Sequence, residues 1–327
     1  MWSFILRRIL WTVPIVTGVV LITFVLFAYV APDPARLEAG KHATPQQLQK
    51  IRQQMGLDKP RWLNTQAAKA VPGLGPKLAA VTDSQFFDVL LWRLPDSQHY
   101  KEPLWSLLLR KAPASLAIAG PVFFVALGIQ LVLALVAAYN RGRWPDYSIT
   151  FMAVLGICVP GLSVIILAQW LVGFELGWFP VAGWGRGAQI VHFAVLPILV
   201  ETLVSLGGGV RFYRTVMLEE IYTDYVRTAR AKGVADRDVL LVHVLRNTMI
   251  PVITNTVASL PFLLLGSLLV ETMFQIPGLG NLMVEAIGNR DRSIIMGMTY
   301  AIAVVYTLML LVTDICYALV DPRIRLQ

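Results

Sequence analysis

The side chains that most often carry out catalysis or bind metals are few in this sequence, and they are not arranged for either task. The four histidines have no metal-ligand spacing, and no H-E-x-x-H pattern occurs. A phosphate-binding loop of the form G-x-x-x-x-G-K-[ST] is missing too, since neither Gly40-Lys41 nor Lys77 belongs to the full pattern. No G-x-S-x-G turn is present to hold a nucleophilic serine. The sequence therefore predicts no catalytic residue and no metal site.

The composition points to a membrane protein. Of the 327 residues, 56% are hydrophobic and 15% are charged, whereas soluble domains carry roughly 25% charged residues. About six runs reach the ~20 apolar residues that a helix needs to cross a bilayer. These runs are Ile9–Ala31, Ala112–Tyr139, Tyr147–Phe174, about 190–210, Asn247–Val270 and Ser293–Thr313. The pattern excludes a soluble enzyme and predicts an all-α integral membrane protein with about six transmembrane helices.

The Lys and Arg residues of the short loops predict how these helices are oriented. If the N-terminus is inside, the termini and loops on that side hold thirteen Lys and Arg residues in total. The short loops on the other side hold three. The positive-inside rule then places both termini in the cytoplasm. Accordingly, we expect three parts: a cytoplasmic end with the first span (1–31), an extracytoplasmic loop region (32–111) and a five-helix core (112–327). We attribute the net charge of +8 to the membrane topology and to attraction to lipid headgroups, and we expect no nucleic-acid partner.

Ionisable groups inside the predicted spans suggest functions of their own, because they are costly to bury in a bilayer. Glu201, near the middle of the fourth span, is a candidate for a translocation path, where it would contact a cationic substrate group. The alternative is that Glu201 pairs with a neighbouring helix or stays neutral. Glu271 and Asp314 lie nearer the ends of their spans, where structural pairing is favoured. Gly207-Gly208-Gly209, at the inner end of the fourth span, would form either a hinge or a close helix contact.

The loop 211–248 is the most informative segment. Met217, Ile221, Tyr225 and Ala229 recur at helical spacing, which predicts an amphipathic helix. Gly233 is placed to end this helix, and Asp236 to cap a second one that leads to the fifth span. A helix–glycine–helix element of this kind can dock on a partner and transmit its movement. The alternative is a helix that lies on the lipid surface.

The residues of this loop resemble the coupling loop of ABC-importer permeases, and in particular the oligopeptide, dipeptide and nickel permease family. The matching positions are Tyr225, Arg227, Thr228, Ala229, Arg230, Ala231, Lys232 and Gly233 within Tyr225–Gly233, followed by His243–Asn247 and Ile250-Pro251. Further matches in the same order are Leu6-Arg7-Arg8, Met55–Pro60, Leu176–Pro180, Val270–Phe274, Pro277–Gly280 and Asp321–Arg325. The first external loop, residues 66–100, departs from the family pattern.

This resemblance implies a type I ABC importer permease in the bacterial inner membrane that is not itself an enzyme. The implied partners are a second permease, two cytoplasmic ATPases that bind ATP and Mg²⁺, and an extracytoplasmic solute-binding protein. It also implies that Pro277, Gly278 and Gly280 form a hairpin at the outer mouth. The substrate would be a peptide or a related solute; a nickel chelate or another non-peptide solute stays open. An ion-coupled secondary carrier also stays open.

Overall fold

A computed structural model describes residues 2–39, 43–70, 74–265 and 267–320, and within these ranges the chain forms helices and no strand. The all-α fold predicted from the composition is therefore confirmed. The predicted closing motif, Asp321–Arg325, lies outside the described residues, as do Gly40-Lys41 and Gly73 of the first loop.

The chain divides into two compact units, Met1–Lys111 with Leu282–Leu308, and Ala112–Asn281 with Met309–Gln327. The helices that precede residue 104 are α1 Trp2–Val25, α2 Pro34–Ala39, α3 Pro45–Gln54, α4 Thr65–Ala70, α5 Leu74–Val81 and α6 Gln85–Leu90. Those that follow are α7 Leu104–Tyr139, α8 Trp144–Cys158, α9 Gly161–Ala168, α10 Gln189–Ile221, α11 Asp224–Ala231, α12 Asp236–Asp238, α13 Leu245–Leu265, α14 Leu268–Met273, α15 Leu279–Gly288 and α16 Arg292–Val320. π-Helical turns extend α1 over Leu26–Val30 and α9 over Gln169–Glu175, and a third, Val239–Val244, joins α12 to α13.

Four of the described helices are long and apolar enough to cross a membrane, or five segments if one bent pair counts as a single span. The four are Leu10–Val30, Leu104–Tyr139, Gln189–Ile221 and Arg292–Thr313. The fifth predicted span, Asn247–Val270, coincides with α13 and α14 and is not among them. Its C-terminal half includes Gly266, which lies outside the described residues.

The bent pair corrects the predicted third span. Tyr147–Phe174 was expected to be one helix, yet α8 ends at Cys158 and the chain turns by 96° before Gly161–Glu175. Pro160 explains the break, because it has no N–H to donate and it forces the preceding residue out of the helical region. Val159 accordingly has φ −84° and ψ 123°.

In the first unit, hydrogen bonds hold the first loop together. The family-like segment Met55–Pro60 is bound by Gln85, whose side-chain amide donates to the carbonyls of Leu57 at 3.1 Å and Lys59 at 2.7 Å. The buried carboxylate of Asp291 accepts from the Ser97 hydroxyl at 2.6 Å. The described parts of the loop region are therefore joined by specific hydrogen bonds, although residues 66–100 depart from the family pattern.

In the second unit, the three successive glycines of α10 do not interrupt the helix, which continues to Ile221. A Cβ on Gly207 would lie 2.6 Å from the carbonyl oxygen of Ala153, and one on Gly209 would overlap the side chain of Gln130. Gly208 faces open space. Close packing of α10 against α8 and α7, rather than a hinge, therefore accounts for two of these three glycines.

Candidate coupling site

The segment from Met217 to Ala229 contains parts of two helices, α10 and α11, where the sequence predicted one. After α10 ends at Ile221, the backbone of Thr223 is extended, with φ −69° and ψ 154°, and α11 begins at the next residue. The Thr223 hydroxyl donates a hydrogen bond to the carbonyl of Glu220 at 2.7 Å, which holds the chain at this break. The prediction of one continuous amphipathic helix across residues 217–229 is therefore wrong.

The other end of α11 follows the prediction, because Gly233 lies directly beyond it with φ +80°. The Gly233 N–H donates to the carbonyl of Arg230 at 3.0 Å, and the Val234 N–H donates to that of Ala229 at 3.2 Å. These two bonds define a Schellman motif, in which the left-handed position favours glycine. Helix α11 thus ends at a fixed point rather than fraying into the loop.

The faces of α11 differ sharply. Val226 and Ala229 are buried in a cluster with residues of the neighbouring helices. Members of this cluster include Ala134, Met217, Ile221, Val239, Leu240 and Val244. The exposed face carries the other predicted site residues: Arg227, Thr228, Arg230, Ala231, Lys232 and Gly233. Because the apolar face contacts the protein itself, it is not free to lie in lipid.

Tyr225 connects α11 to the two helices beside it. Its hydroxyl donates to a carboxylate oxygen of Glu220 at 2.6 Å and lies 3.3 Å from the carbonyl oxygen of His243. Burial and the hydrogen bond to Glu220 raise the pKa of Tyr225 above its ordinary value of 10.0, so the phenol stays protonated and can donate at neutral pH. Sequence reasoning placed Tyr225 on the apolar face; the break at Thr223 instead turns Val226 inward, while Tyr225 is half-buried.

Asp236 was expected to cap the second helix, but it does not. The N-cap is Ala235, and Asp236 is the first helical residue, with no side-chain capping hydrogen bond. Its carboxylate instead accepts from the guanidinium of Arg230 at 3.1 Å. The ion pair spans the Gly233 turn, so that α11 and α12 are linked on the exposed side as well as through the buried cluster.

A second link, which sequence reasoning missed, joins α8 to α10. Asp146 is buried, and its two carboxylate oxygens accept from Arg214 Nε at 2.6 Å and Nη2 at 2.8 Å. A two-point contact of this kind fixes orientation as well as distance. The available signal was a pair of opposite charges next to predicted spans, but their positions are 68 apart in the sequence, and nothing in the pattern indicated that they pair.

Glu201 is half-buried within α10, where its carboxylate accepts a hydrogen bond from the Ser267 hydroxyl at 3.1 Å. Ser267 is the N-cap of α14 and also accepts from the Val270 N–H at 3.4 Å. Glu201 forms no ion pair among the residues that the structure describes. The contact matches the structural alternative for this residue, and its place on a translocation path stays a prediction.

The Pro277–Gly280 segment forms a tight turn around a buried carboxylate. Glu271 is 1% exposed, and its Oε2 accepts from the Asn281 N–H at 3.1 Å. The hydroxyl oxygen of Ser115 accepts from the Leu279 N–H at 2.7 Å. A Cβ on Gly278 would overlap Glu271 Oε2 and lie 2.5 Å from Ser115 Oγ. Glu271 therefore has the structural pairing role that was expected, and its partner is the turn that precedes α15.

No group of three or more His, Cys, Asp and Glu side chains is placed to hold a metal ion within the described ranges. Among these residues, the site consists of helices joined by ion pairs and tight turns, with the short charged helix α11 exposed beside them.

Comparison with known proteins shows the family of this chain. Residues 130–326 match the family of binding-protein-dependent transport system inner membrane components, and residues 1–119 match the N-terminal part of such membrane components. A putative peptide transport system permease protein of Brucella abortus is 32% identical over 329 residues, which cover 99% of each chain. The glutathione transport system permease protein GsiC of Salmonella typhimurium is 34% identical over 330 residues, again 99% of each chain.

The fold and these matches define the class as a helical membrane permease. The chain belongs to the family of binding-protein-dependent transport system inner membrane components. It is a permease subunit of an ABC importer, as its sequence predicts. Members of this family are transporters rather than known enzymes.

Proposed function

We propose that this chain forms, with a second permease, the translocation path of an importer for peptides or related small solutes. A solute-binding protein delivers the solute, and two ATPase subunits, which bind ATP and Mg²⁺, supply the energy. The relatives named for peptide and glutathione transport support this substrate class, since each covers 99% of both chains. Membership of a binding-protein-dependent family weighs against the ion-coupled carrier.

The observation that carries the proposal is the exposed charged face of α11 on a helix whose other face is buried. Arg227, Arg230 and Lys232 are accessible to a partner, whereas Val226 and Ala229 are fixed in the protein. We assign the exposed face to contact with an ATPase subunit. A rigid, partly buried helix transmits displacement better than a free loop does, because its packed side chains cannot yield independently.

The hydrogen bonds of α11 give the displacement a route to the spans. Tyr225 reaches the end of α10 through Glu220 and the approach to α13 through the carbonyl of His243. The Schellman turn at Gly233 and the Arg230–Asp236 ion pair hold α12 at the same time. In the cycle that the family implies, ATP binding closes the ATPases, this movement opens the path outward to accept solute, and hydrolysis resets it.

The same proposal fixes the orientation. The α11 side of the membrane has the richer supply of Lys and Arg, so we place both termini and α11 in the cytoplasm of a bacterial cell, with the first loop outside. The turn Pro277–Gly280 then lies at the outer mouth of the path, where Glu271 fixes its shape.

Glu201 is proposed to line the path. If it does, Glu201→Gln will reduce uptake of cationic peptides more than that of neutral ones, because only the cationic substrates lose an opposite charge. Uptake of matched Lys-containing and Ala-containing dipeptides in cells measures this. Ser267→Ala is the matched control, since it removes the hydrogen-bond partner and keeps the charge. An equal reduction for both dipeptides would reassign Glu201 to structure alone.

Recovery of partners from the native membrane tests the proposal as a whole. The tagged chain is purified in mild detergent, and the co-purifying proteins are identified by mass spectrometry. We expect a second permease and one or two ATPases with Walker motifs. A chain that purifies alone, under conditions that keep other membrane complexes intact, would contradict the proposed assembly.

A further inference from the structure

A cavity of about 250 Å³ lies within the first unit, between the first loop and the start of α16. Its apolar lining comes from Met55, Leu57, Val89, Leu94 and Met296. Polar side chains complete it, among them Lys59, Asp88, Arg93, Gln98 and Arg292. We refer to it as the first-loop cavity. An apolar lining with a few polar groups is the usual character of a small-molecule site.

The one lysine of the first-loop cavity is already bound to carboxylates. Lys59 Nζ lies 2.8 Å from Asp83 Oδ1 and 2.6 Å from Asp88 Oδ2. The hydrogen bonds to Asp83 and Asp88 raise the pKa of Lys59 above its ordinary value of 10.5, so this group stays charged. The three side chains together carry one negative charge and leave no ammonium free for a ligand.

The two arginines of the cavity differ from Lys59 in this respect. Within the part of the chain that the structure describes, Arg93 and Arg292 take part in no ion pair. Arg292 Nε approaches only the sulfur of Met296, a weak acceptor, at 3.2 Å. Asp33, which attracts Arg292 electrostatically, is bound by Arg52 at 2.5 Å. Guanidinium groups stay charged and bind carboxylates at two points, so these two offer an anion-binding pair.

A complementary acceptor is present in the same cavity. Asp88 Oδ2 is bound to Lys59, but Asp88 Oδ1 is buried and accepts no hydrogen bond from the described residues. A buried acceptor without a donor is costly, and a ligand N–H could supply the missing bond. The cavity therefore combines unpaired donors for a carboxylate with one unpaired acceptor for an amine or amide.

We propose that the first-loop cavity binds a small solute that carries a carboxylate and an N–H group, as a short peptide does. The size favours a solute over a protein segment, since 250 Å³ is near the lower end of small-molecule pockets, about 300 Å³. The proposal rests on the function proposed above, which places this loop on the side where solute arrives. It assigns the permease a solute site between the first loop and the beginning of the candidate span Arg292–Thr313.

Binding of a dipeptide to the purified complex tests the proposal. The complex recovered with the tagged chain is reconstituted in lipid nanodiscs without the binding protein, and binding of Ala-Ala is measured by calorimetry. We expect saturable binding that is about 10- to 100-fold weaker for the C-terminal amide of Ala-Ala, which lacks the carboxylate. Arg292→Gln should weaken Ala-Ala binding by a similar factor.

Two further variants keep this test independent of folding. Arg93→Gln alters an exposed residue and should also weaken binding, whereas Arg290→Gln, which does not line the cavity, should bind as the unmodified chain does. Equal binding by all variants, or no binding at all, would overturn the cavity assignment even if the ATPases co-purify. The binding protein is then added in a second measurement: if Arg292→Gln leaves Ala-Ala binding unchanged but weakens attachment of the binding protein, the arginines hold a protein carboxylate and the proposal is wrong.

Discussion

Gly278, in the turn between α14 and α15, and Gly280, at the start of α15, lie against the carboxylate of Glu271. A Cβ on Gly278 would overlap Glu271 Oε2, and one on Gly280 would lie 3.0 Å from the same atom. Glu271 cannot move away cheaply, because it is buried and accepts the Asn281 N–H. At these positions the sequence requires glycine for close approach.

Gly278→Ala should therefore destabilise the protein by about 1–3 kcal/mol, the usual cost of an overpacked site. The midpoint of thermal unfolding of the purified complex measures the effect. Gly288→Ala is the matched control, since nothing lies within 4 Å of a Cβ there. A Gly278→Ala complex as stable as the control would show that the turn adapts around Glu271.

Residues of this kind mark the limit of prediction from sequence. Gly233 was placed correctly, because a glycine that ends a helix leaves a local signal. Asp146 and Arg214 were not paired, because their contact depends on how α8 packs against α10. The partner of Glu271 was missed for a related reason: its carboxylate binds backbone N–H groups, and these have no signature in the side-chain pattern.

At the scale of elements, α11 is held at both ends and buried on one side. Gly233→Leu forces a bulky residue into φ +80°, which costs about 1–2 kcal/mol and shifts the C-terminal end of α11. We expect the complex to assemble but to lose most of the ATPase stimulation that the binding protein produces.

Gly142→Leu provides the control for backbone strain. Gly142 has φ +72° and nothing within 4 Å of a Cβ, but it lies in the turn before α8. Its variant should keep stimulated hydrolysis. Normal stimulated hydrolysis in Gly233→Leu, or an equal loss in both variants, would contradict the coupling role of α11.

A buried ion pair joins α8 to α10, in addition to the close packing of Gly207 against Ala153. Arg214→Gln leaves the buried Asp146 carboxylate without its cation, which should destabilise the complex by about 2–4 kcal/mol. Chemical unfolding monitored by tryptophan fluorescence measures this. Arg211→Gln, on the exposed surface of the same helix, should change stability by less than about 0.5 kcal/mol. Similar changes in the free energy of unfolding for the two variants would mean that the Asp146–Arg214 pair does not stabilise the complex.

Helix boundaries were predictable only in part. Apolar runs located α1, α7, α10 and α16, because a bilayer imposes a minimum length. The bend at Pro160 was missed although proline was visible, since membrane helices often continue through proline, as α7 does at Pro113 and Pro121. The break at Thr223 was missed because the apolar spacing continued across it.

At the scale of the whole molecule, the class of protein followed from composition and motif order. Long uncharged runs required a membrane, and the coupling-loop residues indicated a permease. The first-loop cavity could not be foreseen, because its lining combines residues from four separate stretches of the first loop with the start of α16. A solute site in the first loop is thus inferred from the fold, whereas the sequence suggested only Glu201 as a substrate contact.

The most direct test of the central claim is cross-linking from the exposed face of α11. Cys158 and Cys316 are first replaced by Ser, and Ala231→Cys then presents one thiol on that face. In inner-membrane vesicles we expect a short bifunctional reagent to join this thiol to a Walker-motif ATPase. Asp58→Cys, exposed in the first loop, should give no such product. Labelling of Ala231→Cys by lipid-phase reagents alone, with no ATPase product, would contradict the account.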